Sequence, residues 1–90
     1  MRTTTIAVRM TDYAFALSKM RVPRGKVVFR VVNKGEVVHD FKIAGKKTPI
    51  YVTGRSGVLR VVLKEPGLYK YVCTVPGHIA AGMWGRLKVS

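Results

Sequence analysis

The sequence contains few cysteines, few acidic residues and few histidines. Cys73 is the single cysteine among 90 residues, so no internal disulfide can form and the thiol is a core residue, a nucleophile or a metal ligand. No apolar run approaches the roughly 18 residues of a membrane-spanning helix. The first ten residues lack the continuous apolar segment and the cleavage site of a signal peptide. We therefore expect a periplasmic or other extracytoplasmic location only if a leader has been removed.

The shortage of acidic residues makes the chain strongly basic. Four acids stand against 17 Lys and Arg, which gives a formal net charge of +13. Such an excess predicts an acidic protein partner, an anionic membrane surface or a nucleic acid. The sequence shows no stripe of exposed aromatic residues and no recognisable nucleic-acid module, so we do not expect nucleic-acid binding. An acidic protein partner is the main prediction, and a membrane surface stays as a further candidate.

The length and the spacing of glycine and proline predict one all-β domain spanning residues 1–90. Ninety residues suffice for a single small core. Short runs rich in Val, Ile, Tyr and Phe lie between the Gly and Pro residues, which is typical of a sandwich or barrel. We expect a monomeric Greek-key β-sandwich of about seven to eight strands, with a turn near residues 79–82. The predicted strands are 4–10, 13–18, 26–33, 37–43, 58–64, 68–73 and 85–90.

Alternation of apolar and polar residues predicts the direction of two side chains that carry chemistry. Successive side chains of a strand point to opposite faces. The inward face of 37–43 is predicted to hold Val37, His39, Phe41 and Ile43, and the outward face Val38, Asp40 and Lys42. The inward face of 68–73 is predicted to hold Tyr69, Tyr71 and Cys73. His39 and Cys73 should therefore both point into the sandwich, with the tyrosines packed beneath them.

A loop after Cys73 adds two further donors. His78 follows Cys73 by five residues, and Met83 follows His78 by five. Pro76 and Gly77 end the strand, so the loop can fold His78 and Met83 back over the thiol. Thiolate, imidazole and thioether together suit copper, and two His, one Cys and a weakly bound Met form the blue-copper electron-transfer site. Zinc is less suitable because Met is a poor zinc ligand.

Two segments of this sequence resemble the cupredoxins. Residues 67–83, from Gly67 through Cys73 and His78 to Met83, resemble the copper loop of that family, and residues 33–41 resemble its first-histidine motif. The resemblance implies one copper ion per chain, with His39, Cys73 and His78 as equatorial ligands and Met83 as the axial ligand. It also implies that the ion cycles between Cu(I) and Cu(II) and carries single electrons between redox proteins such as a cytochrome or an oxidase.

The resemblance also implies roles for residues around the ligands. In this family the loop histidine lies near the surface within an apolar patch, and electrons leave through its ring edge. The corresponding patch would contain Pro76, Gly77, Ile79, Ala80 and Ala81. Asp40 and Thr74 directly follow ligands and are expected to contact them from behind. Many family members have Asn where this chain has Asp40, which is either a hydrogen-bond acceptor or a surface residue.

Three other functions compete with electron transfer. A copper oxidase or nitrite reductase needs further histidines, whereas His39 and His78 are the only two; we therefore expect no enzyme activity and no catalytic residues. A copper carrier could use the same four ligands, although the mixed donor set favours electron transfer. The domain could also be one part of a larger copper oxidase.

Overall fold

The computed structural model describes residues 3–90, and this part of the chain contains nine strands. They are β1 (Thr3–Thr11), β2 (Ala14–Leu17), β3 (Arg21–Val22), β4 (Gly25–Asn33), β5 (Lys42–Ile43), β6 (Lys46–Lys47), β7 (Ser56–Leu63), β8 (Gly67–Val72) and β9 (Trp84–Val89). The all-β prediction is confirmed. The strand count exceeds the expected seven to eight because the two-residue strands β3 and β6 are too short to leave an alternating pattern.

The strands form two sheets. The first sheet has the order β2-β1-β4-β7, in which β1 and β4 run parallel, and the second has the order β3-β9-β8-β5-β6. The alternation of β4 is regular, since Val27, Phe29 and Val31 are buried while Lys26 and Arg30 are exposed. A strand with one buried face needs a second layer to cover it. The two sheets therefore pack face to face as the predicted β-sandwich.

Aromatic rings fill the centre of the sandwich. Phe41 is fully buried, and its ring centroid lies 5.0 Å from Phe29, 5.4 Å from Phe15 and 5.6 Å from Tyr71. Aromatic pairs at such separations stabilise a core beyond the area they bury. Tyr71 is buried as predicted, and Tyr69 is half-buried, with its hydroxyl donating to the Glu65 carbonyl. Phe41 and Tyr71 belong to this layer, and each lies two residues along the chain from a predicted ligand, His39 or Cys73.

The predicted strand 37–43 is the main correction. Only Lys42–Ile43 forms a strand, while His39 makes an isolated bridge to Tyr51. Val37 was predicted to point inward but is 38% exposed, and Asp40 was predicted to point outward but is fully buried. The pattern failed because side chains satisfy the backbone here. The Asn33 carboxamide accepts from the Gly35 N–H and donates to the Val37 carbonyl, so the segment follows an irregular path.

The predicted turn near residues 79–82 is present. The Ala81 N–H donates to the Gly77 carbonyl at 3.1 Å, and the Gly82 N–H donates to the Ile79 carbonyl at 2.9 Å. Within residues 3–90, no helix has the length and apolar character needed to cross a membrane.

Candidate metal centre

The loop from Cys73 to Met83 is closed by its own backbone. Cys73 comes directly after β8 and Met83 directly before β9, and the Cys73 N–H donates to the Met83 carbonyl at 3.2 Å. The Met83 N–H in turn donates to the His78 carbonyl at 3.0 Å. Gly82 has a φ of 100°, which L side chains rarely adopt, and this lets the chain reverse just before Met83. The backbone therefore places Cys73, His78 and Met83 side by side.

His39 lies close to these three residues but comes from another segment, which connects β4 of the first sheet with β5 of the second. Its N–H and carbonyl both pair with Tyr51, at 3.2 Å and 2.8 Å. The buried Asn33 amide nitrogen also donates to the Tyr51 carbonyl at 2.7 Å. These bonds fix a segment that has no regular strand partner, and they leave His39 fully buried.

Three donor atoms from two separate segments of the sequence converge. The Nδ1 atoms of His39 and His78 are 3.2 Å apart, and the Cys73 Sγ lies 3.3 Å from His78 Nδ1 and 3.9 Å from His39 Nδ1. Their ligand atoms all lie within 4.8 Å of one another. Met83 is also fully buried, beside Cys73 in the backbone ladder. The structure thus brings the four predicted residues to one end of the sandwich.

Burial shifts the proton equilibria of two of the donors. Burial raises the pKa of the Cys73 thiol. Burial and, to a lesser extent, the neighbouring His39 lower the pKa of His78. Without a cation, the thiol is therefore protonated and His78 is neutral at pH 7. A metal ion binds thiolate and neutral imidazole, and its positive charge offsets the cost of burying a thiolate. The donor set therefore fits copper, which accepts all three donor types.

Asp40 joins the two segments that carry His39 and Cys73. Its carboxylate accepts from the Thr74 N–H at 2.6 Å and from the Thr74 hydroxyl, and it lies 3.4 Å from Lys47 Nζ. The sequence left open whether Asp40 is a hydrogen-bond acceptor or a surface residue, and the structure shows that it is an acceptor. Because Asp40 follows His39 and Thr74 follows Cys73, these bonds fix the separation of two predicted ligands.

Asp12 and Tyr13 are two neighbours of the site that the sequence did not reveal. Asp12 Oδ1 lies 2.6 Å from His39 Nε2. The Tyr13 ring meets the His78 ring edge to face, with centroids 5.0 Å apart, and meets the His39 ring at 6.2 Å. Both residues lie in the turn between β1 and β2, far in sequence from the ligand motif. The single available signal was that Asp12 is one of only four acids in a basic chain.

The surface above the loop is apolar. Ile79 is 44% exposed, and Pro76, Gly77, Ala80 and Ala81 are exposed as well. His78 is 9% exposed at the centre of this surface. The patch expected around the loop histidine is therefore present, and it is bordered by the exposed Tyr13.

Comparison with known proteins gives related sequences and structures. The chain is 44% identical over 43 residues to auracyanin-B of Chloroflexus aurantiacus, a match that spans 48% of this chain and 18% of that protein. A solved structure of auracyanin B superposes with a TM-score of 0.84 at 25% identity, covering 97% of this chain and 88% of the other. A chain of a heme-copper terminal oxidase superposes with a TM-score of 0.77 at 25% identity, covering 96% of this chain and 63% of that one.

A further structure extends the likeness over the full chain. Auracyanin A, a "blue" copper protein of Chloroflexus aurantiacus, superposes with a TM-score of 0.85 at 22% identity, covering 99% of this chain and 100% of the other. At that identity the match supports the fold alone. The family model of copper binding proteins of the plastocyanin/azurin type matches residues 2–90. With a match over almost its whole length, this chain belongs to the plastocyanin/azurin family of copper binding proteins.

Proposed function

We propose that this protein is a one-electron carrier that holds a single copper ion through His39, Cys73, His78 and Met83. The convergence of the first three donors is the observation that carries the proposal. Their ligand atoms lie within 4.8 Å of one another although His39 lies on a different segment from Cys73 and His78. When bound there, copper supplies one-electron chemistry by changing between Cu(I) and Cu(II).

The protein's own residues contribute rigidity and shielding. Hydrogen bonds from Thr74 to Asp40 and from Cys73 to Met83 hold the ligand segments, so the donors have little freedom to rearrange. Burial of His39, Cys73 and Met83 excludes water from the donors. A framework that holds the same geometry in both oxidation states keeps the reorganisation during electron transfer small. The apolar surface around His78 is where we propose that a partner approaches closely enough to exchange an electron.

The small number of histidines argues against enzymatic copper chemistry. The sequence contains two histidines, and both lie in the cluster. A second copper centre of the oxidase or nitrite-reductase type would need more imidazole ligands. We therefore propose a carrier of electrons without catalytic residues.

A second candidate is that the domain works as part of a heme-copper oxidase assembly. The observation that favours it is the superposition of the chain on 63% of an oxidase chain. In that setting, the same copper site would pass electrons to the oxidase. Copurification of the native protein with heme, followed by its visible spectrum, tests this candidate. Isolation of the native protein free of heme, with copper bound, favours a free carrier.

The partner we propose is a redox protein, such as a cytochrome or an oxidase, that presents acidic side chains. Trp84 is 41% exposed on the second sheet, and its ring centroid lies 4.9 Å from Lys70 Nζ and 5.2 Å from Arg86 Cζ. No Asp or Glu occurs in the described strands of either sheet, but those of the second sheet carry seven basic residues against four in the first. The basic residues of the second sheet are Arg21, Lys42, Lys46, Lys47, Lys70, Arg86 and Lys88. A face of one charge sign accelerates association with a partner of the opposite sign. We propose that this face attracts the partner, while the electron passes at the apolar surface around His78.

Charge reversal tests this docking face. We expect Lys70→Glu to slow electron exchange with an acidic cytochrome more than Arg30→Glu does. Both variants change the net charge equally, but Arg30 lies on the first sheet. Equal slowing would contradict docking through the second sheet, and retention of the wild-type chain on anionic vesicles at physiological salt would favour a membrane surface instead. We also propose a monomer located outside the cytoplasm, which sedimentation and cell fractionation test.

Addition of Cu(II) to the metal-free protein tests the proposed function. We expect an intense visible thiolate-to-copper absorption at one equivalent of copper, bleached by ascorbate. Cys73→Ala should abolish the band because it removes the charge-transfer donor. The absence of the band in the wild-type chain would contradict the blue-copper proposal. A carrier of copper would instead release the ion rapidly to a competing chelator, so slow release with rapid electron exchange distinguishes the two roles.

A further inference from the structure

Asp12 contacts the side of the His39 ring that faces away from the donor cluster. Asp12 Oδ1 lies 2.6 Å from His39 Nε2. The other ring nitrogen, Nδ1, lies 3.2 Å from His78 Nδ1 and 3.9 Å from Cys73 Sγ. One imidazole therefore joins a carboxylate on one side to the predicted ligands on the other.

This contact dictates which ring nitrogen carries the proton. An ionised carboxylate can only accept hydrogen bonds, so the facing His39 Nε2 must donate. In a neutral imidazole the proton then sits on Nε2, and the lone pair of Nδ1 points at Cys73 and His78. That is the tautomer a metal ion in the cluster requires. A carboxylate behind a ligating imidazole also raises the basicity of the ligand.

The carboxylate is itself held by the segment that leads to His39. Asp12 Oδ2 accepts from the Glu36 N–H at 2.9 Å, and Oδ1 accepts from the Val37 N–H at 3.3 Å. Its side chain is only 25% exposed. A Cβ at Gly35 would contact Asp12 Oδ1 and would lie 2.8 Å from His39 Nε2. The loop thus packs closely on the Asp12–His39 pair, which distinguishes Asp12 from a freely rotating surface carboxylate.

We infer that Asp12 is a positioning residue that fixes the tautomer and the ring orientation of His39 for copper binding. This inference rests on the proposed function because it assigns His39 to a copper ion. Asp12 acts through the imidazole and does not itself coordinate. A carboxylate behind the ring makes Nδ1 a stronger donor to a metal ion, and this favours Cu(II) over Cu(I) because the ion of higher charge gains more from a stronger donor.

The expected size of the effect follows from other carboxylate–histidine–metal arrangements. Loss of the outer partner weakens metal affinity roughly 10–100-fold. Where that loss is confined to Cu(II), each factor of ten raises the reduction potential by about 59 mV. We therefore expect Asp12→Ala to bind Cu(II) at least tenfold more weakly than the wild type and to have a higher potential. Asp12→Asn should lie between them, since an amide can accept from Nε2–H but can also donate and no longer dictates the tautomer.

Glu36→Gln is the matched control. Glu36 lies in the loop that leads to His39, and its side chain is exposed. This change therefore removes one negative charge near the site without touching the imidazole. Copper affinity is measured by chelator competition, and the potential by redox titration. The His39 tautomer is read from ring-nitrogen chemical shifts of the metal-free protein at pH 7. We expect the Nε2–H tautomer in the wild type and in Glu36→Gln, and a mixture in Asp12→Ala.

Two results would overturn the inference. One is an Nδ1–H tautomer of His39 in the metal-free wild type. The other is a copper affinity and potential in both Asp12 variants that match those of Glu36→Gln. The tautomer is measured without copper, so its result is independent of the proposed function. A wild-type chain that shows the Nε2–H tautomer but no charge-transfer band would refute the blue-copper site while leaving the Asp12 contact established.

Discussion

Replacement of Asp40 by Ala would cut the link between the two segments that carry His39 and Cys73. The Asp40 carboxylate is fully buried and accepts from the Thr74 N–H at 2.6 Å and from the Thr74 hydroxyl. Lys47 Nζ lies 3.4 Å away. The change removes all three contacts and leaves the donors of Thr74 without their acceptor. We therefore expect the free energy of unfolding to fall and the spacing of the predicted ligands to change.

The magnitude follows from these contacts. A hydrogen bond to a charged group contributes roughly 1.5–3 kcal/mol. The Lys47 side chain is 44% exposed, so its ion pair with Asp40 adds less than about 1 kcal/mol. Thr74 is exposed, and water can partly replace its lost acceptor. We therefore expect Asp40→Ala to lower the free energy of unfolding by about 2–4 kcal/mol, which corresponds to a fall in Tm of roughly 10–25 °C for a domain of this size.

Asp40→Asn separates the charge from the hydrogen bonds. The Asn carbonyl oxygen can still accept from the Thr74 N–H, and the Thr74 hydroxyl can turn to accept from the amide. We expect this variant to lose only about 1 kcal/mol. Urea unfolding of the metal-free proteins measures both values. A loss below about 1 kcal/mol in Asp40→Ala, or equal losses in the two variants, would refute the argument that these hydrogen bonds join the segments.

Three further predictions concern the site, the core and the charge. Met83→Leu should keep the visible copper band but raise the reduction potential, because it removes a buried thioether; an unchanged potential would count against axial ligation. Phe41→Ala should cost about 3–5 kcal/mol of unfolding free energy, measured by denaturant titration, and a cost below 1 kcal/mol would mean that the central ring cluster repacks. Electron exchange of the wild type with an acidic partner should slow as ionic strength rises; a flat salt profile in stopped-flow kinetics would remove the role of the +13 charge.

The prediction of the strands succeeded where one face of a strand is buried against the other sheet. In β4 the alternation from Val27 to Val31 matches the observed burial because every second side chain enters the core. The strand prediction failed at residues 37–41, where side chains and an isolated bridge from His39 to Tyr51 satisfy the backbone in place of a neighbouring strand. The Asn33 carboxamide donates to the Val37 carbonyl and the Asp12 carboxylate accepts from the Val37 N–H, and neither bond leaves a trace in local periodicity.

The predicted metal ligands also fall into a local group and a distant residue. The spacing of Cys73, His78 and Met83 is local, and a loop between two strands can bring such residues together without any knowledge of the rest of the fold. His39 was predicted from its inward position and from the resemblance of residues 33–41 to a known motif. The structure brings these residues together at one end of the sandwich, while their role as copper ligands stays a prediction.

The sequence by itself determined the all-β class and the strongly basic charge, and it predicted the donor set, because composition, alternation and short spacings are properties of the chain. Only the tertiary structure decided that Asp12 lies behind His39, that Asp40 is buried against Thr74 and that Tyr13 lies against His78. Asp12 and His39 are 27 residues apart, and Asp40 and Thr74 are 34 apart. Contacts over such separations depend on how β1, β4 and β8 are arranged in the two sheets, and no local pattern in the chain encodes that arrangement.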